Sequence, residues 1–580
     1  MPHEMILQNG IVFDPINGIN GEIKDICIRG KKIVDKVSEK AKKVNLKGRT
    51  VMPGGVDLHS HILGSKLNLG RAMCPEDHRI EFVLKTKKTR GGVGHTMPSS
   101  HIIGYRYSSM GYTTVIEPAL PALKALSAWE EIEDLPNLHT GMLPMFCNSM
   151  ISFHYIKEQD HSGLAAYIAW TLQKVGGLGV KVVNPGGTYA WAHGIDLHDL
   201  DAVVPEWDIT PRDITRGLCR AVETLGLPHP MHLHPNNLGR VGNVETTTAQ
   251  LDSIRDIKGH AGRKRTVHLA HMSFDCFGSV NPGSTDWKDL ESGGLEFAKY
   301  FSKNAHFTTD LGQITFGPAT TMTGDGPFEF YLHQLSGEKW TNATIDVELP
   351  GGAGIVPYTY SPSSPGNSIQ WAIPLEFALS VDDIWRIAVS TDHPNAGPFT
   401  KYPLVLSWLM STKQRKVWLE KVHPVVSQRS TLPDIDREWD LFEVAISTRA
   451  GPARILGLEK VKGHLGPGAD ADIAVYDVNP EKVDLALNPS KIIRVFSSAF
   501  LTMLNGEQVV KRGKVDMTPH GTVWSVNPKL SEALGSRIDC ELESMMGRWF
   551  SHSFQNYPVP DRYRSHMEEK IEVDSSSITA

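Results

Sequence analysis

Two histidines stand two residues apart in VMPGGVDLHSHI, residues 51–62. On an extended strand, residues i and i+2 share a face, so His59 and His61 project together. Two imidazoles leaving one strand end side by side are a ligand pair for Zn2+ or a similar ion, against the bland alternative of two surface histidines. HLHP repeats the spacing with His232 and His234. VHLAH supplies His268 and His271; three apart, they fall on opposite strand faces, which lets at most one of them join a shared site. Asp392 ends the apolar run IWRIAVSTD, where Ala388, Ser390 and Asp392 share one face, small residues leading to a carboxylate. Lys181 sits between valines in GVKVVNP. A lysine buried there is costly unless it is paired, snorkels or changes chemically. The chemical option is a neutral amine that has added CO2, giving an anionic two-oxygen carbamate able to bridge two metal ions.

Such residues need a scaffold that gathers strand ends. Strand patterns at TTVIEPA (113–119), 179–185, 229–235, 265–272 and 384–392 alternate with helical patterns at 164–175, 214–227 and 403–422. This alternation predicts an α/β fold, a (β/α)8 TIM-like barrel over residues 53–458, whose active sites lie at the C-terminal strand ends. Short Ile- and Val-rich runs at 1–52 and 459–525 read as one small β-sandwich domain formed from both ends of the chain. Gly, Pro, Ser and Thr near 306–370 break the rhythm as a long insertion over one barrel face. Residues 526–580 form a C-terminal extension, with its last residues expected to be mobile.

Composition narrows the functions. With 59 basic and 65 acidic residues in 580, a net charge of −6, the chain offers no strongly basic surface for nucleic acid. The six cysteines are scattered without a C-x-x-C pair, so no iron–sulfur or zinc-thiolate cluster can be built from sequence-local ligands. The opening MPHEMILQNG has no basic region followed by an apolar run, and no stretch approaches the ~18 apolar residues of a transmembrane span. The expected setting is soluble, reducing and cytoplasmic.

PGGVDLHSH (53–61), the GYTT turn (111–114), the strand lysine, the two later histidine strands and the final aspartate together resemble the amidohydrolase superfamily. GHLGPGADADIAVYD (463–477) and TRAGPARILGL (448–458) resemble its split β-domain and last barrel helix. The resemblance to its binuclear branch implies that His59 and His61 bind one metal ion and a carbamylated Lys181 bridges two. His234 and His271 then bind the second ion, and Asp392 contacts the first and moves protons. HPNN (234–237) is similar to the H-A-E-N stretch of dihydropyrimidinase-like members, which favours His234 over His232 and leaves His232 to orient the ligands from one step deeper. His268 reads as structural, facing the helical layer. Two divalent ions are implied; the donor set suits Zn2+, with Fe, Mn and Co as alternatives.

KVVNPGGTYAW (181–191), HLHPNNLG (232–239), TTMTGDGPFEFYLHQLSGEKW (320–340), IQWAIPLEFAL (369–379) and STDHPNAGPFTKYP (390–403) resemble the A-type subunits of formylmethanofuran dehydrogenases, over nearly the whole chain. His393 departs from that pattern, which has Ser before the proline. The resemblance implies a methanogenic complex in which a tungsten- or molybdenum-pterin, formate dehydrogenase-like subunit reduces CO2 with electrons from Fe–S subunits. This chain then condenses formate with the amine of methanofuran and runs the reverse hydrolysis. Condensation in water is uphill, so an internal passage for formate between the two subunits is expected. Competing readings are the related subunit of a formyltransferase/hydrolase complex, a stand-alone dihydroorotase- or hydantoinase-like cyclic amidase, and a non-catalytic barrel scaffold. Arg106 in GYRYSSMGY (104–112) and the basic run 85–96 are further candidates for holding an anionic substrate. GGVGHT lacks the G-K-[ST] of a P-loop.

Overall fold

The computed structural model describes residues 3–78, 87, 96–344 and 352–579. Eight short parallel strands form the barrel. β1 (Gly55–Asp57), β2 (Tyr112–Leu120) and β3 (His139–Pro144) pair in sequence order. β4 (Lys181–Val183), β5 (Met231–His234), β6 (Val267–Leu269), β7 (Phe307–Asp310) and β8 (Ile387–Ala388) form a second parallel run. Isolated parallel bridges at Met145–Lys181 and Ser60–His393 join the two runs on both sides, completing the ring. Strands buried on both faces carry nearly continuous apolar or β-branched sequence, as TTVIEPA does.

The helices arise from capping and spacing. In Pro211–Leu225, Thr210 and Asp213 form a capping box and Gly226 ends the helix in the left-handed region. Ile214, Leu218, Val222 and Leu225 line its buried face. The helix expected over 403–422 is two helices, Tyr402–Met410 and Thr412–Leu419. Ser411 is extended, with φ −145° and ψ 110°, and its hydroxyl accepts from the Gln414 N–H, so it starts the second helix instead of continuing the first.

Five strands from the N-terminal end and four from residues 473–515 make one nine-stranded sheet with its own core. Thr50–Pro53 pairs antiparallel with Ile473–Tyr476. Buried Lys462 bridges Asp470 at 2.9 Å and Asp472 at 2.6 Å, and His139 of β3 meets Asp472 at 3.2 Å, tying this sheet to the barrel. Val523–Lys529, which straddles residue 526, pairs with β3 and with Glu568–Asp574. The tail expected to trail off is therefore built into a sheet, and Ser575 and Ile578 are buried beyond it.

Phe307–Asp310, inside the segment read as an insertion, is barrel strand β7. The insertion proper begins after it: a three-stranded antiparallel sheet (Gly317–Thr323, Gly352–Tyr360, Thr341–Thr344) and the helix Gly326–Ser336, packed on a core of their own. Among the described residues, no helix is long and apolar enough to cross a membrane.

Candidate metal centre

Register across the sheet sets the floor of the site. Lys181, His232, His268 and Thr308 stand opposite one another on β4 to β7. His268 thus lies inside the barrel and not against the helical layer: its ring faces His232 at 4.6 Å and its Nε2 lies 3.1 Å from Asp310. His271 also points inward. β6 ends at Leu269, and His271 takes φ +34°, so strand parity no longer governs it. Gly312 makes that turn possible, because a Cβ there would lie 2.5 Å from the His271 Cβ.

Each expected ligand has an environment that fixes its protons. His61 Nδ1 is 2.9 Å from Glu117, whose second oxygen accepts the Ile62 and Leu63 N–H groups. His271 Nδ1 is 3.1 Å from Asp275. His59 Nδ1 is 3.0 Å from both Asp310 and His232 Nε2. Carboxylates accept, so these three rings carry hydrogen on Nδ1 and present a lone pair at Nε2. A chain of imidazoles gives the same answer for His59. The Ile455 carbonyl, 3.0 Å from His229 Nδ1, can only accept. His229 Nε2 then accepts from His232 Nδ1 at 3.1 Å, and His232 Nε2 accepts from His59. The chain can run in one direction only.

The lone pairs converge. His59 Nε2 and His61 Nε2 lie 3.1 and 3.5 Å from Asp392 Oδ1. Asn395 holds the other Asp392 oxygen at 2.8 Å, while Oδ1 has no hydrogen-bond donor. His271 Nε2 faces His234 Nδ1 at 3.0 Å. Groups packed this closely share either a proton or a cation, and the imidazole and carboxylate donors fit Zn2+ or another borderline divalent ion. Burial opposes charge on His59, yet Asp310 and Asp392 outweigh it and push the imidazole up to about 9. Burial likewise opposes charge on Asp392, but His59 and His271 hold it well below the usual carboxylate range. His232 and His234 are held well below the ordinary imidazole value, first by burial and then by neighbouring Lys181 and His271 respectively.

Lys181 is 1% exposed, and its Nζ has no hydrogen-bond partner. Burial lowers its amine to about 8, against the pull of Asp392 and Asp310. His59, His61, Lys181, His234, His271 and Asp392 therefore all sit in one buried interior. The sequence reading missed the carboxylates behind them: Glu117 on β2, Asp310 ending β7, Asp275 four residues after His271, and Asp325. Asp310 carries the same mark as Asp392, an acid ending a β-branched run. Asp57 was missed too; it takes hydrogen bonds from Tyr107 at 2.7 Å, from Tyr402 and from the His59 N–H at 3.0 Å, and burial pushes it up to about 6.

Other candidates fall elsewhere. Arg106 lies on the helix Ser100–Ser109 with its guanidinium over Tyr105, while its neighbour Tyr107 reaches the site. The basic run 85–96 lies outside the described residues except Lys87 and Thr96. His393 does not face solvent: it is fully buried against Phe399, and burial lowers it to about 3. A cavity of about 350 Å3 abuts the cluster through Asp325, walled by Trp191, Trp287, Phe328, Phe330 and Tyr331.

Known proteins share this chain's pattern over its full length. The family model described as "Amidohydrolase family" matches residues 42–515. Protein FwdA of Methanocaldococcus jannaschii is 45% identical over 579 residues, covering 99% of this chain and 100% of that protein. The A-type subunit of the formyltransferase/hydrolase complex Fhc of Methylorubrum extorquens is 32% identical over 564 residues, 96% of each. The crystal structure of that organism's FhcABCD complex, with methylofuran bound, contains a chain that superposes with a TM-score of 0.86 at 31% identity. The match covers 98% of this chain and 99% of that one.

Proposed function

This chain belongs to the amidohydrolase family, and on that premise we propose that it does the work of the A-type subunit in a formylmethanofuran dehydrogenase. It condenses formate with the primary amine of methanofuran and hydrolyses the resulting formamide. The observation that carries the reading is the convergence of donor atoms from His59, His61, His271 and Asp392 in one buried interior, in a chain matched end to end by FwdA and by its Fhc counterpart. A cyclic amidase would need the same metals, but it has no such full-length counterpart among these relatives.

His59, His61 and Asp392 would hold one divalent ion and His234 and His271 a second, with the carbamate of Lys181 as a further anionic donor. A buried, unpartnered amine with a lowered pKa suits that modification: the nitrogen adds CO2 and releases one proton. When bound, the two ions, Zn2+ by preference, polarise the formyl oxygen and make water more acidic. Asp392 does the proton work with Oδ1, because Asn395 holds Oδ2. In hydrolysis Oδ1 takes a proton from the attacking water and hands it to the amine nitrogen as the C–N bond breaks, giving amine and formate. In synthesis it takes the proton from the attacking amine and passes it to the departing formate oxygen, which leaves as hydroxide and takes up one further proton from solvent to become water. The aromatic cavity beyond Asp325 has room for the aryl arm of the amine substrate.

Formate comes from a partner with a tungsten- or molybdenum-pterin site fed by Fe–S subunits in the cytoplasm. The division fits a chain whose six cysteines are all free. The test is formate release from formylmethanofuran by the purified chain, with metal analysis before and after chelation. Release should require about two bound ions and stop on their removal. A protein that binds two metals, ignores the formamide and opens cyclic amides would overturn the reading.

A further inference from the structure

Three of the four histidines at the centre have their remote nitrogen held by a buried carboxylate: His59 by Asp310, His61 by Glu117 and His271 by Asp275. His234 completes the set differently. Its remote nitrogen, Nε2, is buried without a hydrogen-bond partner, and the anion it faces is Asp325 Oδ2 at 3.6 Å. That oxygen is also buried and unpartnered. Two orphaned polar atoms, each costly when buried unpaired, thus face each other just beyond hydrogen-bond length.

We propose that Asp325 is a positioning residue for His234, delivered to the centre by the insertion; the proposal rests on reading His234 as a metal donor. His271 already carries its hydrogen on Nδ1, so its Nε2 can accept. The His234 hydrogen then decides what happens across the 3.0 Å gap between the rings. If it sits on Nδ1, it donates to His271 Nε2, and the pair closes on itself with no lone pair left for an ion. If it sits on Nε2, both facing nitrogens present lone pairs and the pair is open to a metal. An accepting oxygen beside Nε2 selects the second state, and Asp325 Oδ2 is placed to be that oxygen.

The fold holds Asp325 there. Its other oxygen caps the helix Gly326–Ser336 by accepting the Phe328 N–H at 3.3 Å, and the residue is 3% exposed. The carboxylate therefore has one oxygen for the helix and one for the imidazole. Neither β5 nor its flanking loops supplies this group; it comes from the segment between β7 and β8.

Two substitutions separate the cap from the reach. Asp325→Ser keeps a capping oxygen but is too short to reach His234, whereas Asp325→Asn caps with its one oxygen and turns its NH2 toward His234 Nε2. Both variants, wild type and His234→Ala would be titrated with Co2+ or Zn2+ against a competing chelator, with thermal unfolding followed in parallel. The expected result is that Asp325→Ser weakens the second metal equivalent by roughly 10–100-fold, leaves the first unchanged and unfolds like Asp325→Asn. Asp325→Asn should weaken the second equivalent at least as much, because its NH2 drives the His234 hydrogen to Nδ1, and His234→Ala should lose it. An unweakened second equivalent in Asp325→Ser, alongside its loss in His234→Ala, overturns the proposal. So does an Asp325→Asn variant that binds the second ion like wild type, because the oxygen facing Nε2 is then irrelevant. If His234→Ala retains both ions, His234 is not a donor, and the reading of the site fails first.

Discussion

Glu117→Gln tests whether the carboxylates behind the histidines control metal binding. Both oxygens of Glu117 are fully engaged as acceptors. Oε1 faces His61 Nδ1 at 2.9 Å and the Ala119 N–H at 3.2 Å, while Oε2 takes the Ile62 and Leu63 N–H groups at 2.7 and 3.0 Å. A glutamine amide has one acceptor and one donor end, so either orientation points its NH2 at two donors. If the NH2 faces the backbone pair, two buried N–H groups lose their partner at about 1–3 kcal/mol each, a sum of roughly 2–6 kcal/mol. If it faces His61, the imidazole escapes the clash by moving its hydrogen to Nε2. That removes the lone pair aimed at Asp392, and metal affinity should fall roughly 10–100-fold. The second route strains less of the backbone and is the one expected. The assay is metal titration against a competing chelator, with urea unfolding of the metal-free protein as the control. Affinity within twofold of wild type, together with an unchanged unfolding midpoint, would refute the reasoning, because it would mean the hydrogen on His61 is not under Glu117 control.

Three further outcomes come from the same geometry. Lys181→Ala should lose metal and formamide hydrolysis together, and metal uptake by the chelated wild-type protein should rise when bicarbonate is supplied. Native mass spectrometry should show a mass increment of one CO2, and full reconstitution in CO2-free buffer would rule the carbamate out. Gly312→Ala places a Cβ 2.5 Å from the His271 Cβ at a backbone φ of +53°. It should unfold at lower urea by about 1–2 kcal/mol and bind the second ion weakly, whereas a normal second equivalent would clear Gly312 of that role. His229 is lowered to about 3 by burial and then by neighbouring His268, so the folded protein excludes a proton that the unfolded chain accepts below pH 6.5. Its contribution is fully present above pH 6.5 and is lost as pH falls toward 3, about 2–3 kcal/mol by pH 4.5. In the metal-free protein, His229→Gln should shrink the difference in urea stability between pH 7 and 4.5 by that amount; an unchanged difference would show that His229 protonates in the fold.

The ligands were legible because they obey local rules. Period-two spacing fixes the shared face of His59 with His61 and of His232 with His234. A lysine between valines or an acid ending a β-branched run stands out against its neighbours. Where the chain leaves a strand the rule lapses. His268 was set on the helical side, opposite His271, because parity was carried two residues past Leu269, through a backbone that turns left-handed. The helix break at Ser411 was hidden for a related reason: a serine is tolerated within an apolar pattern, and what stops the helix is a contact made elsewhere in the chain, the Ser411 hydroxyl donating to the Ala486 carbonyl at 2.6 Å.

The carboxylate partners were illegible for a deeper reason. Glu117 lies 56 residues from His61 and Asp310 lies 251 from His59, and nothing local says which ring either one will face. Their role exists only once β1, β2 and β7 close into one ring, and it is to decide where protons sit. That decision separates a buried histidine cluster from a metal site. Rings free to choose their tautomers would hydrogen-bond one another in pairs, as His229 and His232 do, and present nothing to an ion. A carboxylate behind His59, His61 and His271, and at His59 a chain that starts from a carbonyl, opposes that pairing and turns their Nε2 atoms inward. The barrel's own cohesion works against such an arrangement, since it buries like with like. A cation in the middle reverses the balance, so metal binding should stabilise this fold steeply, by an amount that grows with free metal concentration. Urea unfolding at a series of buffered metal concentrations measures it. A midpoint indifferent to metal would show that the donors are already satisfied by protons, and that their convergence is a packing solution with no binding role.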